Sequence, residues 1–308
     1  MHARAVHGLV VARVEDDRDL EAMIAVRIAA DPESPPPRIE NLRHNLAAQK
    51  GLVYFVARRA ETPVACGFVH PDAPGYAEAH LVVVPAERRR GIGNALLAQI
   101  GTAARAFERL ELEGEVREDD EASRTFFERR GYRVVGGEKA VALDLAQVEA
   151  AFPAPPRGIT IVSRAERPEL TDQLYEIGSE GAADIPGVSG RPTYEQWRAT
   201  DVDRPTRKPE FFFIALAGDD EQPVGYAVLD DYGRDAYHGL TVVTRSWRRR
   251  GIATVLKRTQ LAAAKAAGFR RLVTSSEERN APMRSLNEKL GYRPEPSLST
   301  VVLRGPAA

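Results

Sequence analysis

The sequence predicts an α/β chain made of two copies of one fold. Three observations point that way. Its 308 residues, 43% hydrophobic and 28% charged, suit two soluble domains that each bury a core. A shift of 160 positions (88 to 248) lays Arg88-Arg89-Arg90-Gly91-Ile92 on Arg248-Arg249-Arg250-Gly251-Ile252 and Gly131-Tyr132-Arg133 on Gly291-Tyr292-Arg293, with Pro63-Val64 meeting Pro223-Val224 in the same register. In both copies, β-rich runs lead into an arginine–glycine turn that opens an apolar helical run.

Taken in order, "LVYFVAR" (52–58) and "FFFIALA" (211–217) are strands, followed by a turn with proline and the shorter strands "VACGFV" and "VGYAVL". "AEAHLVVV" (77–84) and "YHGLTVV" (237–243) are the next strands and run directly into the turn. In the helix of the first copy, Leu96, Ile100, Ala103 and Phe107 recur at helical spacing and are expected to face the core. A strand ("RLELEGEV"; "RRLVTSS") and a short helix follow, the helix closing on Gly131 or Gly291 in the left-handed conformation. The prolines of "AQVEAAFPAPPRG" (146–158) belong to a linker. The expected domains are therefore 1–148 and 159–308, joined by 149–158. Proline-bearing loops at 31–38 and 184–192 are expected to shape a ligand site.

Bulk properties narrow the function. A net charge of −1 argues against a nucleic-acid partner bound through bulk electrostatics. The single Cys66 excludes a disulfide framework and a cysteine-rich metal site, and reads as buried filler. No run is long and apolar enough for a membrane helix, and no signal peptide is visible, so a cytoplasmic protein is expected.

The repeated turn carries the chemistry. A glycine at 91 or 251 allows a tight turn, and small residues at 93 and 253 let backbone approach a ligand. The first helical turn beyond supplies unpaired N–H groups and the positive end of the helix dipole. Together these form an anion site for phosphate or pyrophosphate, reinforced by the flanking arginines. A nucleotide P-loop is excluded because no Gly-Lys-Ser/Thr follows, and a dinucleotide fold lacks its third glycine.

"LVVVPAERRRGIGNALL" and "LTVVTRSWRRRGIATVLK", each followed by a strand, a short helix and Gly-Tyr, resemble the acetyl-CoA-binding half of the GNAT superfamily of N-acetyltransferases, here in tandem. That resemblance implies a mixed, mostly antiparallel sheet flanked by helices and split after a bulged fourth strand, with pantetheine in the split. It implies donor contacts from Val82, Val83, Arg88, Arg89, Arg90, Gly91, Ile92, Gly93 and Asn94. In the second copy it implies Val242, Val243, Arg248, Arg249, Arg250, Gly251, Ile252, Ala253, Thr254 and Asn280. Main-chain amides near Val83 and Val243 would hold the thioester carbonyl. Asn280 also suits a helix N-cap, as does Asp120 at the matching position.

The family's acid is often a tyrosine five residues before the Gly-Tyr aromatic, where this chain has Phe127 and Asn287, neither able to serve. Candidate bases are Glu78 and His238, matched by the shift, with His80 as another; Tyr132 and Tyr292 read as packing residues. The resemblance implies an acetyl-CoA-dependent N-acetyltransferase, without metal, in which a small-molecule amine attacks the thioester directly, with the C-terminal copy favoured for the chemistry. The alternative is a non-catalytic acyl-CoA-binding sensor, which the missing tyrosines favour. An aminoacyl-tRNA-dependent transferase, also a doubled fold, fits the two intact turns and the near-neutral charge less well. Edge strands leave homo-oligomers open.

Overall fold

The computed structural model describes residues 8–32, 34–71, 75–184, 190–278 and 280–307. The chain forms two compact units: residues 1–137 with 301–308, and residues 138–300.

In the first unit β1 (Leu9–Arg13), α1 (Asp17–Ala30) and α2 (Ile39–Ala48) precede the antiparallel strands β2 (Val53–Arg59), β3 (Thr62–His70) and β4 (Tyr76–Val83). Then come α3 (Ile92–Ala106), β5 (Glu111–Arg117), α4 (Glu121–Glu128) and β6 (Arg133–Asp144). The division between the two units falls within β6, after residue 137. Side-chain alternation along β4 sends Ala77, Ala79, Leu81 and Val83 against α3, and His80 and Val82 toward α1. Leu96, Ile100 and Ala103 are buried as expected. Phe107 is not: it lies one residue beyond α3, at its C-cap, and is exposed. Cys66 is buried filler, its thiol pushed up to about 12 by burial.

The second unit contains β7 (Ile159–Ser163), α5 (Leu174–Ala182), α6 (Tyr194–Trp197), β8 (Phe212–Ala217), β9 (Gln222–Asp231) and β10 (Asp235–Val243). It continues with α7 (Ile252–Ala266), β11 (Arg271–Glu277), α8 (Ala281–Lys289) and the two-residue β12 (Arg293–Pro294). The last strand, β13 (Thr300–Pro306), closes the chain.

Both sheets are mixed and mostly antiparallel, and both split. β4 pairs in parallel with β5 only over Tyr76–Glu78, and β10 with β11 only over Asp235–Tyr237. Among the described residues, the expected bulge in the fourth strand occurs in the second unit and not in the first. There the β9–β10 register slips by one between His238 and Thr241, so Gly239 and Leu240 together oppose Val228. The β3–β4 register runs unbroken from Ala65↔Val83 to His70↔Glu78.

The units do not follow the 1–148/159–308 division suggested by the repeat. Glu138–Asp144 of β6 pairs with Arg271–Glu277 of β11 in the second unit, while β13 lies beside β5 in the first. Each copy's sheet is thus finished by the other copy's last strand. In the first unit Leu303 is buried in the α3 core, Arg304 pairs with Glu113, and the Tyr132 hydroxyl donates to the Pro306 carbonyl at 3.1 Å. Tandem repeats have the same strand pattern in both places, so periodicity alone does not reveal such an exchange.

Candidate active site

The two arginine–glycine turns have the same backbone. Arg89 and Gly91 are left-handed (φ +64° and +83°), as are Arg249 and Gly251 (φ +61° and +81°). Alternating left-handed residues aim successive N–H groups into one concavity. Among the described residues, the amides of 89–93 and of 249–253 donate to no backbone acceptor. The guanidinium Nε of Arg88 folds back onto the Val83 carbonyl (3.1 Å) and that of Arg248 onto Val243 (2.9 Å), tying each turn to the strand before it. These are the features that fit a pyrophosphate: free amides, an alternating cradle and the N-terminus of a fifteen-residue helix.

The charge around the turns differs. In the first unit Arg90 pairs with Glu87, and Arg130 reaches the start of α3, donating to Asn94 Oδ1 (3.1 Å) and lying 3.6 Å over the Phe126 ring. Arg130 adds a cation that sequence reasoning missed, since it lies 36 residues from Asn94. In the second unit Arg248 is held by Asp184 (2.5 Å), and Arg250 lies over Trp247. Arg89 and Arg249 have no side-chain partner among the described residues, so in both turns the middle arginine is the one available to a ligand.

Val82, Val83, Val242 and Val243 stand at the ends of β4 and β10, past the point where these strands leave β5 and β11. Gly93, Asn94, Ala253 and Thr254 lie in the first turns of α3 and α7. Asn280 is engaged as the N-cap of α8, its side chain accepting from the Met283 amide at 3.4 Å; Asp120 caps α4 in the same way. Tyr132 and Tyr292 are buried.

The candidate bases are not structural equivalents. Glu78 is exposed and lies with His80 and Val82 on the α1 side of β4. His80 stacks on Phe68, and burial pushes it down to about 4, so it is neutral. The bulge turns His238 to the opposite face, against α7, where Nδ1 donates to Gln260 Oε1 (3.0 Å) and Nε2 accepts from the Tyr292 hydroxyl. Desolvation, with the nearby Lys257 ammonium, holds His238 well below its usual range. On the α5 side of the bulge, Gly239 lets the Arg207 guanidinium approach. Arg207 is buried and paired with Asp230 at 2.8 Å.

A cavity of about 490 Å³ opens beside α5, lined by Glu176, Ser179, Glu180, Arg191, Gln222 and Thr244 among others. Arg191 belongs to the 184–192 loop expected to select the ligand; residues 185–189 of that loop lie outside the described residues.

Burial also gives the second unit a pH signature. Lys257 is pushed down to about 7 by desolvation, against roughly 10.4 in an unfolded chain. Between those values the unfolded state binds more protons, so stability rises with pH. His238 acts in the same sense below about 6.5, where stability falls as pH drops. Urea midpoints of the second unit are expected to climb from pH 7 to 9, and Lys257→Met to flatten that climb. An unchanged slope in the variant would contradict the assignment.

The comparisons with known proteins agree with this geometry. The acetyltransferase (GNAT) domain family matches residues 50–134, and the acetyltransferase (GNAT) family matches residues 174–292. No curated protein matches the sequence. Among solved structures, the chain is similar to a tandem GNAT protein from the clavulanic acid biosynthesis pathway, with 22% identity, a TM-score of 0.77, and 97% of this chain and 99% of that one covered. It is also similar to a GCN5-related N-acetyltransferase from Sphaerobacter thermophilus, with 19% identity, a TM-score of 0.73, and 98% and 96% covered. Among the described residues no helix is long and apolar enough to cross a membrane, and no cluster of metal-ligating side chains occurs. Two family matches on a split sheet, each with its own arginine–glycine turn, place the chain in the GNAT superfamily as a tandem, two-copy acyltransferase.

Proposed function

We propose that the chain is an acetyl-CoA-dependent N-acetyltransferase acting in the cytoplasm on a small-molecule amine, and that both units hold an acyl-CoA. The observation that carries this reading is the pair of cradles at Arg89–Gly93 and Arg249–Ala253, each at the open end of a split strand. Acyl-CoA supplies the activated acyl group. The free amides bind its pyrophosphate, and Arg89 and Arg249 add charge. Backbone at Val82–Val83 and Val242–Val243 faces the thioester carbonyl, where a donated hydrogen bond stabilises developing negative charge.

The bases proposed for the amine proton are Glu78 and His238. Glu78 is open to solvent, so water can relay a proton to it. His238 becomes available when Tyr292 turns away from Nε2. We favour the second unit for the chemistry, with His238 as its base, and Glu78 is the base proposed for the first unit. Its fourth strand is bulged, and the cavity beside α5 offers an amine a pocket bearing Glu176 and Glu180. The sensor alternative is favoured in the first unit, where Phe127 fills the acid's position and packs against Phe126 and Tyr132. Incubating the chain with acetyl-CoA and a panel of primary amines, with thiol release followed, tests the reading. Release is expected with at least one amine and is expected to fall at least about tenfold in Gly251→Glu. Tight donor binding without release to any amine would favour the sensor.

A further inference from the structure

The interior of the second unit holds polar side chains that acyl transfer as described leaves unused. Lys257 (2% exposed) and Gln260 (0%) come from α7, and Asn287 (1%) from α8. Among the described residues Lys257 has no ion-pair partner; its ammonium lies 5.8 Å from the Tyr292 ring centre. Gln260 accepts from His238, yet its Nε2 is buried without an acceptor. Both polar atoms of Asn287 and the Thr241 hydroxyl are also buried without partners among the described residues. Buried polar groups are nearly always satisfied, and a lone buried ammonium is costly.

The scaffold itself does not demand these groups. The same three positions in the first copy (97, 100 and 127) are Leu97, Ile100 and Phe127, packed in an apolar core. The partnerless atoms in the second unit are mostly donors, two amide NH₂ groups and a hydroxyl against the one acceptor Asn287 Oδ1, and the buried Lys257 adds an ammonium without an ion pair among the described residues. A carboxylate, with about four acceptor sites and a negative charge, matches that set. The cluster also adjoins an opening. His238 directly follows the last β10–β11 pair, Tyr237↔Val273, and Thr241 ends the bulge.

We propose that Lys257, Gln260, Asn287 and Thr241 form a carboxylate-binding site, reached through the opening between β10 and β11. The carboxylate is carried either by the acyl chain of the donor thioester or by the acceptor amine. The first source rests on the acyl-transfer reading; binding of a free carboxylate does not. An arriving carboxylate favours the ammonium form of Lys257, so binding above neutral pH takes up a proton. The other titratable groups facing Lys257 are His238 from β10 and Tyr292 beyond α8, the latter already protonated because burial raises it.

Calorimetric titration of the full chain at pH 8, in two buffers of different ionisation enthalpy, tests this. Succinyl-CoA is compared with acetyl-CoA, and L-alanine with ethylamine, which is the same amine without its carboxylate. The carboxylate-bearing member of one pair is expected to bind at least about tenfold tighter, with uptake of roughly one proton. Lys257→Met is expected to abolish both effects. Asn287→Leu, which keeps the ammonium, is expected to weaken the preference while retaining proton uptake, and it replaces Lys257→Met if that variant does not fold. A preference in the first pair assigns the acyl chain, and one in the second pair the acceptor. Equal binding within both pairs, or a preference that survives Lys257→Met, overturns the proposal. If neither thioester binds, the acyltransferase reading fails, while L-alanine against ethylamine still decides the carboxylate site.

Discussion

Gly91→Glu is expected to remove acyl-CoA from the first unit, with affinity falling at least about a hundredfold, and Gly251→Glu to do the same in the second. Two costs add. Gly91 and Gly251 have φ of +83° and +81°, where a residue with a Cβ is strained by about 1–3 kcal/mol. The new carboxylate also stands at a helix N-terminus among amides that would face a diphosphate, so like charges meet where the dipole favours an anion. A Gly91→Ala control carries the strain without the charge, and a loss of at most about tenfold is expected. The first unit is expected to be the tighter site. Arg130 adds a cation beside α3, whereas in the second unit Arg248 is neutralised by Asp184 and Leu290 stands at the position matching Arg130. Equal affinities in both units would contradict the importance given to Arg130.

Mutations near the C-terminal end of the sequence are expected to unfold the N-terminal unit. Gly305 lies so close to Tyr132 that a Cβ would sit 2.5 Å from its ring and 2.8 Å from its Cα; the second contact is backbone and does not yield. Leu303 is 2% exposed in the core formed with α3. Leu303→Ala is expected to cost about 2–5 kcal/mol, and Gly305→Val at least as much. Hydrogen exchange shows where the cost falls. β5 (Glu111–Arg117) and α3 are expected to lose protection, while β8 and β9 keep theirs. Loss confined to β8 and β9 would mean that β13 belongs to the second unit.

The sequence revealed the elements more fully than the partnerships. Glycine at 91 and 251, the apolar run behind it and the strand before it are local features, so turn, helix and strand were all legible. Strand exchange was not, because β6 and β13 present the same alternation to either sheet. A bulge in the fourth strand was expected from the family resemblance, but its place at Gly239–Leu240 and the unbroken β3–β4 register of the first unit had no local signal. One inserted residue reverses every side chain before it, so sequence matched Glu78 with His238 although they face opposite sides of their sheets. The polar cluster does have a sequence signal: Leu97, Ile100 and Phe127 change together to Lys257, Gln260 and Asn287 under the shift of 160 (97 to 257). Arg207 on Asp230 and Arg130 on Asn94 are tertiary pairs with no local pattern to betray them.

Calorimetric titration of acetyl-CoA into the wild-type chain decides whether the two turns are acyl-CoA sites. Two binding events are expected, the tighter one lost in Gly91→Glu and the weaker in Gly251→Glu. Absence of any binding to the wild-type chain would contradict the claim that these turns are acyl-CoA sites.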